Sequence, residues 1–472
     1  MAFSDPLYLA FLVSAVLLVA WLPAGAPRLV GLIAVSYAFL VSLGSGWQIL
    51  PVTTLITYGA GLALQRMNDG RARFWFFFVA LCALLAPLLF FKYMGPLWNL
   101  AAPLLPNEDG GFAIKALVLP IGLSFYTFLA VGYVIDVYVG NSEAEKSPFN
   151  ITAMISFFPA VTSGPIDRGP HFLPQLANLG RPSHEMAVSG VRALLLGLVF
   201  KVVIADSLAP HVNLVFANPG DYGATDLALA NLYFAFQVYA DFAGYSLIAI
   251  GSALLLGIEL PVNFRQPYFS ETVSEFWRRW HMSLSSWFRD YVFTPLHFKT
   301  RRLGVAGMAG ALVLTFVLVG IWHGAGLKFV IFGLIHGSLV AGSTLTLAAR
   351  NRFWKRMGMP RGLLRAVRIL ATFGLVYLTL VLFRTSDATS ALHYYQGMLG
   401  SFTAHTLPLA MPLALISTVL CIDMSREKEW TLPRDPRVRW ACYYLAVAVV
   451  IGFTVLNLSW GNGDGQFIYY NF

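Results

Sequence analysis

Two histidines stand where an imidazole can do chemistry. His323 lies in Gly320-Ile321-Trp322-His323-Gly324-Ala325-Gly326, between two long apolar runs. Gly324 and Gly326 let the chain turn and let other groups come close to the backbone. An ionisable side chain inside an apolar span is expensive, which makes it a functional candidate. A neutral imidazole accepts a proton near pH 7, as a general base must. The competing reading is a helix-hairpin turn whose histidine bonds a carbonyl. His281 follows Trp277 by four residues and precedes Leu284 by three. That spacing predicts it on an aromatic helix face, where a histidine with a satisfied structural role is the other reading.

The segment around His281 is not a crossing. Thr272 and Glu275 have capping-box spacing. Val273, Phe276, Trp277, Trp280, Leu284, Trp287, Phe288 and Tyr291 recur every three or four residues. Arg278, Arg279, Ser285, Ser286, Arg289 and Asp290 take the opposite face. The pattern predicts one helix over 270–296 lying in the cytoplasmic interface, aromatics down and arginines up. Such a helix is an anchor or part of a site. The other polar groups within apolar runs are Asp136, Lys201, Asp241 and Arg384. Lys201 and Asp241 are both near mid-span and are expected to pair or to act as packing glue. No phosphate-binding glycine loop, nucleophile elbow or metal-ligand cluster is present, and the nine histidines are scattered. No metal is expected.

These residues need a scaffold, and composition restricts its class. The 472 residues are 57% apolar and 12% charged, with mean hydropathy +0.67. Soluble proteins carry about 25% charged residues. Half that charge excludes a soluble globular enzyme, a disordered chain and a secreted domain. Apolar runs near 20 residues, without strand-like alternation, exclude an outer-membrane barrel. Twelve crossings are predicted, at 6–22, 29–45, 48–64, 74–92, 115–139, 187–210, 226–257, 303–322, 327–349, 366–383, 406–423 and 440–459. A shorter run, 150–164, ends in Pro159, Gly164 and Pro165 and is expected to be re-entrant. No cation precedes the first run, so it is expected to be an uncleaved span.

Alternate loops hold 26 of the 32 Lys and Arg residues, whereas Asp5, Glu108, Asp109, Asp221, Asp387 and Asp464 lie in the others. The asymmetry predicts both termini outside. It also accounts for the net charge of +9 without nucleic acid. Cys82, Cys421 and Cys442 lie in apolar runs with no metal or disulfide spacing. Neither internal repeats nor paired broken helices of the transporter kind are evident.

Several stretches resemble the membrane-bound O-acyltransferase family. They are Leu119–Tyr126 running into Tyr133–Tyr138, Phe157–Pro159 with Ser163–Pro165, Tyr239–Ser246, Asn263–Tyr268, Glu275–His281, Trp322–Ala325 and the aromatic ending Phe467–Phe472. The likeness is to the bacterial branch that O-acetylates polysaccharides such as alginate, and more distantly to the proteins of teichoic acid D-alanylation. It implies an all-α polytopic fold: a ring of about 12 helices, with re-entrant and interfacial helices, around a central tunnel. It implies one domain over 1–472, with a catalytic core at about 90–340 and peripheral helices at 1–90 and 350–472. His323 falls on the family's deep catalytic histidine and His281 on its partner. Trp322, Trp280, Arg278, Arg279, Arg289, Asp290, Asp241, Tyr245, Ser246, Asn263, Gln266 and Asp136 are tunnel or substrate-binding candidates.

The resemblance further implies an acetyl thioester co-substrate, acetyl-CoA, with no permanently bound cofactor. Its setting is the bacterial inner membrane, with membrane lipids around it. Its expected partners are a periplasmic SGNH-type (GDSL-like) acetyltransferase and a polysaccharide synthase or secretion complex. The acceptor polymer stays open among alginate, cellulose, peptidoglycan and D-alanylated teichoic acid. A transporter or a non-catalytic scaffold of an exopolysaccharide complex are readings of another class. The stretch after 350 departs from the branch.

Overall fold

Long apolar runs in a chain this poor in charge must satisfy their own backbone groups, and the helix does so within one segment. The computed structural model describes residues 5–44, 46–101, 119–401 and 406–428, together with Phe3 and isolated positions between 438 and 452. All regular elements among the described residues are helical. Eleven of the twelve predicted crossings fall on helices; the span at 440–459 and the aromatic ending Phe467–Phe472 lie outside the described residues. Six helices are long and apolar enough to cross a membrane: Arg71–Trp98, His184–Ala217, Ala224–Leu255, Met282–His323, Leu327–Leu345 and Arg361–Arg384. Leu7–Trp21, Ala26–Ser42 and Leu123–Val139 are shorter apolar helices.

The chain divides into two units. The first comprises Met1–Leu194 and Tyr245–Pro261. Within it, Asp5 caps the first helix, Pro6–Trp21, by accepting from Leu7 N. Arg28, counted from sequence as a loop cation, is instead buried. Its guanidinium donates to the carbonyls of Val19, Leu22 and Leu179. Two of these belong to the end of the first helix, where a cation is favoured. The segment expected to be re-entrant is a buried helix, Pro148–Ser156, broken at Phe157 and followed by the single turn Phe158–Val161. The break fits against Gly122, which has φ +82 and would place a Cβ 2.3 Å from the Val161 carbonyl oxygen.

The second unit comprises Leu195–Gly244 and Val262–Phe472. Its centre is a helical hairpin, Gly304–His323 and Leu327–Leu345, turned by the glycines after His323. Small residues let the two backbones touch. A Cβ on Gly320 would sit 2.1 Å from the Phe329 carbonyl oxygen, one on Gly333 2.3 Å from that of Phe316, and one on Gly337 2.8 Å from Val313 Cα. The helix Arg361–Arg384 packs on the hairpin. Lys328 fastens the two together by donating to the carbonyls of Phe383 and Thr385 at the end of that helix.

Backbone contact of this kind leaves no room for adjustment. Gly333→Val should therefore destabilise the hairpin by about 1–3 kcal/mol or more. Gly342→Ala, with nothing within 4 Å of the new methyl, should be silent. Thermal melting of the two purified variants in one detergent checks the contrast.

Candidate active site

A continuous interfacial helix over 270–296 is not what forms. The chain makes a helix Val273–Arg279, breaks, and starts another at Met282–Phe288. Thr272 caps the first as its spacing predicts, accepting from Glu275 N at 3.1 Å. The break falls on His281, which takes φ 44 and ψ 53. It shares a positive φ with Gln266 (φ 43), and these are the two non-glycine residues with one among those described. Such strain persists only where the surroundings impose it, and it clusters at functional sites.

Asn263, eighteen residues upstream, imposes it. Its Oδ1 accepts from Ser283 N (3.2 Å), Ser283 Oγ (2.9 Å) and His281 Nδ1 (3.1 Å), and its carbonyl accepts from Met282 N (2.9 Å). Arg265 N donates to the Arg279 carbonyl on the other side of the break. The second helix thus receives its cap from another segment. His281 is therefore a buried helix-start residue rather than one more position on an aromatic stripe. Since Asn263 Oδ1 only accepts, His281 Nδ1 carries the proton, and the basic lone pair of the neutral ring is on Nε2.

His323 ends the first helix of the hairpin and is buried. Trp322 joins the two histidines: its ring centroid lies 4.8 Å from that of His323 and 6.2 Å from that of His281. Phe383 stacks edge-on to His323 at 5.1 Å. His323 also lines a cavity of about 20 Å³, walled by Tyr268, Trp277, Trp280, Phe332 and His336 among others. That volume admits one water-sized group. Trp280 belongs to an aromatic stack with Phe276 and Tyr268.

A second cavity of about 420 Å³ also has Trp277 in its wall. Its walls are apolar, from Leu312, Phe316 and Val319, with Ser285, Ser286, Arg278 and Arg289 at the polar part. Arg289 is exposed and pairs with Asp290 at 2.8 Å. Arg279 lines neither cavity. It is held by Glu275 and Glu427, each at 2.7 Å, and Arg365 also reaches Glu427 at 2.8 Å.

Lys201 and Asp241 pair at 2.8 Å, as their mid-span positions suggest, but Asp206 makes the pair a trio, also at 2.8 Å from Lys201 Nζ. Lys201 sits in a π-helical stretch, Val199–Ala205, within the crossing. Tyr245, Ser246 and Asp136 lie in the first unit. The Tyr245 hydroxyl bonds Thr162 Oγ1 at 2.5 Å. Asp136 lies in the last turn of the helix Leu123–Val139, its carbonyl accepting from Asn141 N and Ser142 N.

Sequence reasoning missed His336. It is buried, donates from Nε2 to Thr379 Oγ1 (2.9 Å) and accepts at Nδ1 from Trp277 Nε1 (3.1 Å). A signal existed: Phe329, Phe332, His336 and Val340 recur at helical spacing on the buried face of Leu327–Leu345.

The profile of the MBOAT, membrane-bound O-acyltransferase family, matches residues 142–383, just over half the chain. The chain belongs to the membrane-bound O-acyltransferase family. The matched span includes every site candidate except Asp136. A probable alginate O-acetylase of Azotobacter vinelandii is 36% identical over 318 residues, 66% of this chain and 60% of that protein. A peptidoglycan O-acetyltransferase of Helicobacter pylori is 28% identical over 415 residues, 76% of each chain. A teichoic acid D-alanyltransferase of Bacillus subtilis is 29% identical over 307 residues, covering 62% of this chain and 72% of that one. The matches to the alginate relatives span about 44–60% of their length.

In this MBOAT chain one side-chain oxygen holds the helix break together. Asn263→Ala leaves buried donors at Ser283 and His281 without that acceptor, each worth about 1–3 kcal/mol. A fall in melting temperature is expected, and Asn263→Asp, which keeps an accepting oxygen, should recover most of it. Equal melting temperatures for Asn263→Ala and the parent protein would refute the role of this clamp.

Proposed function

We propose that this protein transfers an acetyl group from a cytoplasmic thioester, acetyl-CoA, to a hydroxyl presented from outside, for O-acetylation of an extracytoplasmic polysaccharide. The observation that carries the reading is the juxtaposition at Trp277. Trp277 lines both a water-sized site against His323 and a cavity large enough for a thioester arm, whose wall includes Arg278 and Arg289. The 420 Å³ cavity takes the pantetheine arm, and the two arginines attract the donor's phosphates.

His323 acts as general base. It withdraws the proton of the acceptor hydroxyl as that oxygen attacks the thioester carbonyl. The C–O bond forms, the C–S bond breaks, and the departing thiolate takes up the proton that His323 releases. His281 supports this centre from across Trp322. The family match and the names of the relatives support an O-acyl transfer of this type. The acceptor is the serine hydroxyl of a periplasmic SGNH-type acetyltransferase, which passes the group to the polymer within a polysaccharide synthase or secretion complex. The longest stretches that the sequence leaves outside between predicted spans, about 93–114 and 384–405, have roughly 22 residues each, too few to hold a sugar chain. Alginate is the first polymer to test. Peptidoglycan is the second, because the match to a peptidoglycan O-acetyltransferase covers more of both chains.

His323→Ala should abolish acetylation of the polymer at normal protein level, a loss of at least about a hundredfold for one general base. Full acetylation in cells carrying this variant would exclude the assignment. The protein sits in the inner membrane with both termini outside. A cysteine at Asp387 should then react with a membrane-impermeant thiol reagent in intact cells, while cysteines at Arg71 and Lys355 should not. The opposite labelling pattern would reverse the direction of acetyl flow.

A further inference from the structure

The two cavities share one wall. Among the described residues Trp277 alone lines both, with Phe316 edge-on at 5.1 Å and His336 edge-on at 5.2 Å. The indole is held by a directed chain of hydrogen bonds. Trp277 Nε1–H donates to His336 Nδ1 at 3.1 Å, so the proton of the neutral imidazole is on Nε2. Nε2–H donates to Thr379 Oγ1 at 2.9 Å, and that hydroxyl donates to the Val376 carbonyl at 2.7 Å. All three side chains are buried, so water does not compete for these bonds. The chain runs from the segment beside His281, through the second helix of the hairpin, to the helix Arg361–Arg384. It pins a large rigid ring at the junction of a roomy cavity and a very small one.

We propose that Trp277, latched by His336 and Thr379, sets the length of the acyl group that this protein transfers. The proposal rests on the acyl-transfer reading above and specifies its donor class. With the thioester arm in the 420 Å³ cavity, the acyl group must pass the indole to reach His323. The site beyond accepts one water-sized group. The methyl of an acetyl group is of that size, and a propyl chain is not. Two-carbon donors fit, and four- or six-carbon donors are rejected by the indole. His336 and Thr379 are positioning residues here: they act on the donor through Trp277. A packing role alone would alter stability, whereas a latch alters the choice between donors.

The test uses the full-length protein purified in detergent with its acceptor partner, supplied with acetyl-, butyryl- or hexanoyl-CoA, and follows release of the free thiol. The parent protein should prefer acetyl over butyryl by about a hundredfold, as a tight pocket can against extra methylenes. Trp277→Ala should cut that preference to below about tenfold. Trp277→Ala also removes a large buried ring, so Thr379→Val provides a milder lesion. It should relax the preference severalfold through butyryl KM, and Thr379→Ser, which keeps the hydroxyl, should restore it. An unchanged donor ratio in both Trp277→Ala and Thr379→Val, with acetyl turnover present, would overturn the latch and leave acyl transfer standing. Absence of acetyl turnover in the parent protein would overturn both.

Discussion

One oxygen atom organises the second unit. Asn263 Oδ1 accepts three hydrogen bonds and the Asn263 carbonyl a fourth, all from residues 281–283. This replaces the intrahelical bonds that a continuous helix would have used. The backbone turns left-handed at His281, which costs energy but frees the imidazole from a helix face and fixes its tautomer. Because Arg265 N is bonded to the Arg279 carbonyl at the same place, the break is clamped from both sides. Trp277 and Trp280 before it and Arg289 after it inherit their directions from that clamp.

Polar groups inside so apolar a chain survive only where partners are built in. Lys201 has two carboxylates, Lys328 two carbonyls, Arg28 three carbonyls, and Tyr239 donates to both oxygens of Asp423. Buried ion pairs of this sort add little net stability over apolar packing, yet breaking one by removing a partner is costly. Their effect is to specify which helix meets which. Lys328 and Phe383 illustrate it: the bond that fixes the end of Arg361–Arg384 also seats the Phe383 ring against His323. The π-helical stretch around Lys201 is the local cost of bringing its ammonium to both Asp206 and Asp241.

The charged residues near the break divide into two sets. Arg279, Arg365 and Arg368 are tied to Glu271, Glu275 and Glu427. Arg278 and Arg289 instead edge the larger cavity. Five arginines with the same charge therefore have different work. Three brace helices that are distant in the chain, and two line a space whose other walls are mainly apolar.

Much was legible in the sequence because it depends on near neighbours along the chain. Run lengths and low charge predicted the helices, the glycines after His323 predicted the hairpin, and opposite charges near mid-span made the contact of Lys201 with Asp241 one of two readings. The Thr272 cap followed from a three-residue spacing. What failed was the continuous helix over 270–296. Its apolar period carries on past His281, so nothing local marks the break; the donors at 281–283 are captured by a residue eighteen positions away. The third member of the Lys201 trio, the Glu427 bridge to Arg279 and the Trp277–His336–Thr379 chain are invisible for the same reason. Each joins segments whose meeting depends on how helices pack. Chemistry-bearing residue types and their helical faces are properties of the local chain, whereas cavity size, backbone strain and hydrogen-bond partners exist only once distant segments have closed on one another.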